Sequence, residues 1–154
     1  MRLTTMTDYA LRLLLHVGQH PERLCTIAEV AEVYGISQAH LMKITHQLGL
    51  AGWITTVRGK GGGMRLALPP EQINLGEVVR SIETDFFLVE CHADHNTCSI
   101  TGRCGLTRIF NNALGAFMQE LNAHTLADVL PPPSRAAKHT RTVTPPAPRR
   151  LKAA

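Results

Sequence analysis

The sequence predicts a mainly α-helical protein with one small β-hairpin: a winged helix-turn-helix followed by a long C-terminal helix. Three observations predict it. Two short amphipathic segments separated by Gly35 follow an N-terminal helical pattern, and a glycine-rich loop between two β-prone runs comes directly after them. Last, residues 106–123 carry a wide apolar stripe at helical spacing.

Taken in order, Leu3, Met6, Ala10, Leu13, Leu14 and Val17 keep a helical period that the Gly18 and Pro21 region ends. Thr26 can cap a second helix, TIAEVAEVY, with Glu29 three residues on as in a capping box. Ile27, Val30, Ala31 and Tyr34 supply its apolar face, and Gly35 permits the turn that follows. Ser37 caps a third helix, in which Leu41, Ile44 and Leu48 must face the core. At about 100° per residue, Ala39, Met42, Lys43 and His46 then point the opposite way. With Ser37 and Gln38 they are the candidates to enter a DNA major groove. Gln can bond adenine bidentately, Lys can reach guanine or phosphate, and Ala leaves room for a thymine methyl.

Residues 53–57 and 64–68 read as paired strands, joined by RGKGGG. The glycines let backbone approach a phosphate or a minor groove, and Arg58 and Lys60 put cations there. The loop lacks the GxxxxGK[ST] order of a nucleotide-binding loop. After a helix-turn-helix it reads as a wing. From Asn74 to Ile82 a short amphipathic helix follows, and Leu106, Ile109, Phe110, Ala113, Leu114, Phe117 and Leu121 make the stripe of the long one. A small helical head can cover only part of that stripe. A homodimer through this helix would bury the rest and match a palindromic double-stranded operator.

The chain has 154 residues and a formal charge of +4. Six basic residues and no acid lie in residues 131–154, a Pro- and Ala-rich tail expected to be disordered. Residues 1–130 therefore hold ten basic against twelve acidic residues, and the basic charge of that part is local. No acid occurs between Glu32 and Glu71, a stretch that carries Lys43, Arg58, Lys60 and Arg65. The N-terminal apolar stretch is broken by Asp8 and Arg12 and lacks a cleavage site, and no run approaches the ~20 apolar residues of a membrane span. A cytoplasmic location is expected. No Ser/His/Asp, paired-carboxylate or Cys-x-x-Cys arrangement suggests an enzyme.

The sharpest chemical signal is Cys91, Cys98 and Cys104, spaced by six and then five residues in the polar segment CHADHNTCSITGRC. Soft thiolates select zinc, cuprous copper or iron–sulfur centres, and a reducing compartment disfavours disulfides. Three donors are one short of the usual four-ligand shell. His92 and His95 lie in the loop and allow a Cys3His zinc site, which would make the protein a zinc-stapled DNA-binding module. Cys25, set apart beside an apolar helix, reads as a small buried hydrophobe.

Residues 1 to about 130 run MRLTTMTDYALRLL, a helix-turn-helix, VRGKGGGMRLA, three spaced cysteines, and a long helix ending in LADVL. In that order they resemble the nitric-oxide-sensing NsrR branch of the superfamily of iron–sulfur winged-helix regulators that also includes IscR. The resemblance implies a homodimeric bacterial repressor of nitrosative-stress genes, with a 2Fe-2S or 4Fe-4S cluster on Cys91, Cys98 and Cys104 and nitric oxide as effector. It also implies that Asp8 of the partner subunit supplies a carboxylate ligand. From the residues alone Asp8 is a helix-start acid paired with Arg12 at i+4. The cluster-biogenesis branch, the alternative regulator class, carries a histidine three residues after the third cysteine, where this chain has Thr107.

Overall fold

The computed structural model describes residues 2–93 and 95–131. The tail expected to be disordered therefore lies, apart from Pro131, outside the described residues. Helix α1 spans Thr5–Gly18, α2 Ile27–Tyr34 and α3 Gln38–Leu50. Strands β1 (Ile54–Val57) and β2 (Gly63–Leu66) pair antiparallel, with Ile54 opposite Leu66 and Val57 opposite Gly63. Helices α4 (Leu75–Ile82), α5 (Leu106–Asn122) and α6 (Leu126–Val129) complete the fold. Among the described residues, no helix is long and apolar enough to cross a membrane.

The helix starts follow from side-chain caps. Thr4, Thr26, Ser37 and Asn74 each accept a bond from the backbone N–H three residues on, satisfying a donor that no helical carbonyl can reach. Leu3 was expected within the first helix. It lies outside because Thr4 takes an extended backbone, ψ 159°, to place its hydroxyl as the cap. The expected turn glycine, Gly35, has φ +64°, a left-handed conformation that costs other residues about 1 kcal/mol or more.

The core is one cluster around α1. Ala10, Leu13, Leu14 and Val17 pack with Val30, Ile36, Leu41, Ile44 and Leu48, and the layer continues through Trp53, Ile54, Met64, Ile73, Val78, Ile82 and Leu126. Leu48 is completely buried, so truncating it to Ala would cost about 2–5 kcal/mol. This layer anchors the recognition helix by the face the helical period predicts. The Trp53 indole N–H donates to Ser81 Oγ at 2.9 Å and ties the base of the wing to α4.

Both strands are shorter than the sequence suggested. Trp53 leaves β1 because its N–H donates to the Leu48 carbonyl, which seats it on the end of α3. Leu68 is followed by Pro69 and Pro70, which lack the N–H a ladder needs. The wing has a third backbone partner. The Cys25 N–H donates to the Met64 carbonyl at 2.9 Å, and the Met64 N–H donates back at 2.8 Å. Gly63 makes this approach possible, since a Cβ there would stand 2.6 Å from the Cys25 carbonyl oxygen.

The long helix keeps, to within one residue, the bounds that its apolar stripe over residues 106–123 predicted, and LADVL lies beyond its end. It stops at Asn122, and α6 is a separate turn. The Leu126 N–H donates to Ile73, and the His124 carbonyl accepts from Leu75, so the backbone at this corner is bonded across to α4 and cannot continue α5. Thr125 donates from both N–H and Oγ1 to the Asp128 carboxylate and starts the new turn. Both bonds hold the Asp128 carboxyl below its ordinary range, the backbone one most.

Candidate functional site

Helix α3 and the wing form one polar face. Ser37, Gln38, Ala39, Met42, Lys43 and His46 are all exposed, as the helical period required, while Leu41, Ile44, Thr45 and Leu48 are buried. Thr45 is a residue that apolar patterning missed. Its hydroxyl donates to Met64 Sδ at 3.8 Å, fixing the recognition helix against β2. A groove between α3 and β1 is lined by Met42, His46, Thr55, Thr56 and Arg58, which brings the recognition helix and the wing onto one surface. Arg58 and Lys60 are exposed at the hairpin tip, and Arg65 is exposed on β2. Among the described residues, none of Lys43, Arg58, Lys60 and Arg65 is paired with a carboxylate. Their charge is free for an external polyanion.

The cysteine loop is held by polar bonds, as its composition required. The Glu90 carboxylate accepts from Thr97 Oγ1 at 2.6 Å and from the Thr97 N–H at 3.0 Å, and these bonds hold its pKa below the usual value. Asn96 accepts from the Cys98 N–H at 2.9 Å and donates to Thr101 Oγ1, which donates back to the Cys98 carbonyl. Cys91, Cys98 and Cys104 are free thiols, each half-buried. Cys104 stands just before Gly105, the residue that opens α5. The loop is thus pinned from within and joined directly to the long helix.

This donor set fits a soft-metal group. The three sulfurs are not in a set of ligand atoms lying within 4.8 Å of one another among the described residues. Three thiolates suit zinc or an iron–sulfur centre alike, and either would take a fourth ligand. The two loop histidines differ. His95 is exposed, whereas His92 Nε2 is buried without a hydrogen-bond partner among the described residues, next in sequence to Cys91. An orphaned nitrogen beside a thiol is a position an added ligand group would satisfy.

The family model described as an iron-dependent transcriptional regulator, Rrf2, matches residues 3–132. The chain belongs to the Rrf2 family. Among its relatives, the HTH-type transcriptional regulator NsrR of Bacillus subtilis (strain 168) is 47% identical over 132 residues, covering 84% of this chain and 90% of that one. The protein is thus an NsrR-type Rrf2 regulator, a class of transcriptional regulators and not of enzymes. Two solved structures share its fold. A transcriptional regulator from Listeria innocua superposes with a TM-score of 0.72 at 22% identity, over 97% of this chain and 96% of its own. IscR from T. potens gives 0.66 at 24% identity, over 83% and 85%.

In this Rrf2 regulator Asp8 is exposed on α1 and bonded to Arg12 Nη2 at 2.9 Å, the i+4 pair read from the residues alone. Thr107 places its hydroxyl 3.5 Å from Cys91 Sγ. The position expected to carry histidine in the cluster-biogenesis branch therefore faces the cysteine loop with a hydroxyl here.

A convergence of side chains able to hold a metal escaped the sequence reading. His16, His20, Cys25 and Glu29 each bring a ligand atom within 4.8 Å of the others. Cys25 is buried, as a small hydrophobe would be, but among polar partners. The Glu29 carboxylate accepts from Arg23 and, at 3.0 Å, from His16 Nε2–H. Bonds from Arg23 first, then from His16 and the Thr26 N–H, hold its pKa down to about 2. The expected capping box is thus mainly diverted: Thr26 caps the Glu29 N–H, while the carboxylate turns chiefly to Arg23 and His16. The i, i+4 spacing of His16 and His20 was the available signal.

Proposed function

We propose that this protein is a cytoplasmic, homodimeric DNA-binding repressor that senses nitric oxide through an iron–sulfur cluster held by Cys91, Cys98 and Cys104. The observation that carries the reading is the set of three free thiols in one internally braced loop, running directly into the long helix of an NsrR-type chain. Ser37, Gln38, Ala39, Met42, Lys43 and His46 would meet base edges and phosphates of a palindromic operator, and Arg58 and Lys60 the flanking backbone or minor groove.

The dimer is supported by α5. None of its residues is buried in the single chain, and Leu106 and Ile109 are each 56% exposed. A second copy of the helix would cover that face and fix the distance between the two copies of α3.

When bound, the cluster supplies iron that nitric oxide attacks. The chain's own residues turn that chemistry into a change of shape. Cys91 sits at the start of the loop and Cys104 at the foot of α5, so holding both sulfurs fixes the loop against the dimer helix. Asp8 of the partner subunit, already oriented by Arg12, would add a hard oxygen that is a poor match for this soft site and readily exchanged. Releasing the thiols frees the foot of α5 and loosens the half-site spacing that dimeric binding needs. A difference of ~3 kcal/mol between the two states would change operator affinity by roughly a hundredfold.

Anaerobic purification followed by iron, sulfide and zinc analysis tests the cofactor. A brown protein with matched iron and sulfide is expected, and a colourless zinc protein would refute it in favour of a zinc-stapled module. Cys91→Ala should lose the colour and release the operator without nitric oxide. Full operator affinity in that cluster-free variant would sink the switch.

A further inference from the structure

We propose that His16, His20, Cys25 and Glu29 form a zinc site between α1 and α2 that braces the wing, separate from the cysteine loop. The four residues come from one turn of α1, the corner after it, and the first turn of α2. One ligand atom from each lies within 4.8 Å of the other three. Ligand atoms around a tetrahedral zinc, at about 2.0–2.3 Å from the ion, are roughly 3.3–3.8 Å apart. Closing the set therefore asks for side-chain shifts of about one ångström and no change of fold.

The donor chemistry selects the metal. Two imidazoles, one thiolate and one carboxylate suit a borderline-soft ion better than magnesium or calcium, which take oxygen shells. Four protein ligands leave no open position, the mark of a structural site. The histidines are already arranged for the task. His20 Nδ1–H donates to the His16 backbone carbonyl at 2.9 Å, which orients the ring and makes Nε2 its candidate ligand atom. The two rings sit 4.8 Å apart between centroids. Glu29 keeps Oε2 on Arg23 Nη1 at 2.9 Å, while Oε1 accepts from both Arg23 Nη2 and His16 Nε2, bonds that zinc would displace. Burial pushes the Cys25 thiol pKa up, so a metal bound here must displace a tightly held proton.

The site has a mechanical consequence because Cys25 is bonded through its backbone to Met64 of β2 in both directions. Metal held at the Cys25 side chain would fix the third strand-like partner of the wing. Operator contact by Arg58 and Lys60 depends on that hairpin's placement, so zinc occupancy and DNA affinity should rise together.

The test uses the full chain with Cys91, Cys98 and Cys104 all replaced by Ser, which removes the loop thiols. After chelator treatment, zinc is added against a chromophoric competitor, and cobalt(II) is added in parallel. One zinc per chain with Kd below about 1 μM is expected, and cobalt should show a thiolate charge-transfer band. Cys25→Ser should abolish that band, and both Cys25→Ser and His20→Gln should weaken zinc at least about a hundredfold. Circular dichroism checks the fold. Because His20 is only half-buried, His20→Gln keeps the test decisive if the buried Cys25 variant does not fold. Absence of stoichiometric zinc in the loop-thiol-free chain, or binding unchanged by His20→Gln, would overturn the site.

Discussion

Removing one wing or recognition-helix cation should change how operator binding responds to salt. Lys43, Arg58 and Lys60 are exposed, and none is paired with a carboxylate among the described residues, so each can neutralise a phosphate without first breaking an ion pair. Each such contact adds about 0.9 to the magnitude of the slope of log K against log salt. A dimer carries every contact twice, so one substitution to Ala should flatten the slope by about 1.8. Raising salt from about 50 to about 200 mM should then cost the variant roughly tenfold less affinity than it costs the parent protein. Fluorescence anisotropy with a labelled operator, read at five or six salt concentrations, measures this. Because phosphate contacts carry no sequence information, the loss at low salt should be similar for operator and scrambled DNA. Arg80→Ala, exposed on α4 outside the acid-free stretch, serves as the control. If all three variants kept the parent slope, the free charge of this face would not be what meets DNA.

Ile109→Glu should give a folded monomer in light scattering, because the side chain is 56% exposed in the single chain; a persistent dimer would place the seam elsewhere. Gly63→Val should destabilise by about 2 kcal/mol in urea, since its Cβ would press on the Cys25 carbonyl from 2.6 Å and open the bridge to Met64. A change under about 0.5 kcal/mol would mean the bridge contributes little. Thr107→His puts an imidazole where the hydroxyl stands 3.5 Å from Cys91 Sγ. It should slow the loss of visible absorbance under nitric oxide several-fold, and an unchanged decay would separate that position from the cluster.

The sequence by itself determined the parts of this protein that rest on local rules. Helical period sorted α3 into Leu41, Ile44 and Leu48 inside and Met42, Lys43 and His46 outside, because a helix with a core on one side leaves only one face for DNA. Caps at Thr26 and Ser37 were legible because a helix start needs an oxygen at one position. Gly35 was legible because its turn needs positive φ.

Tertiary structure decided what depends on distant backbone and side-chain contacts. The break between α5 and α6 arises because His124 and Leu126 bond to the chain around Ile73 and Leu75, about fifty residues earlier, which no local propensity records. Thr45 is inside because Met64 of β2 lies over it. Glu29 looked like half of a capping box, yet its carboxylate bonds first to Arg23 and His16, with the Thr26 N–H a smaller partner. Cys25 read as a lone buried thiol until packing of α1 against α2 set two imidazoles and a carboxylate around it. Period and capping act within a few residues of the chain, whereas a ligand set is fixed by how helices pack, and that is settled by the whole core at once.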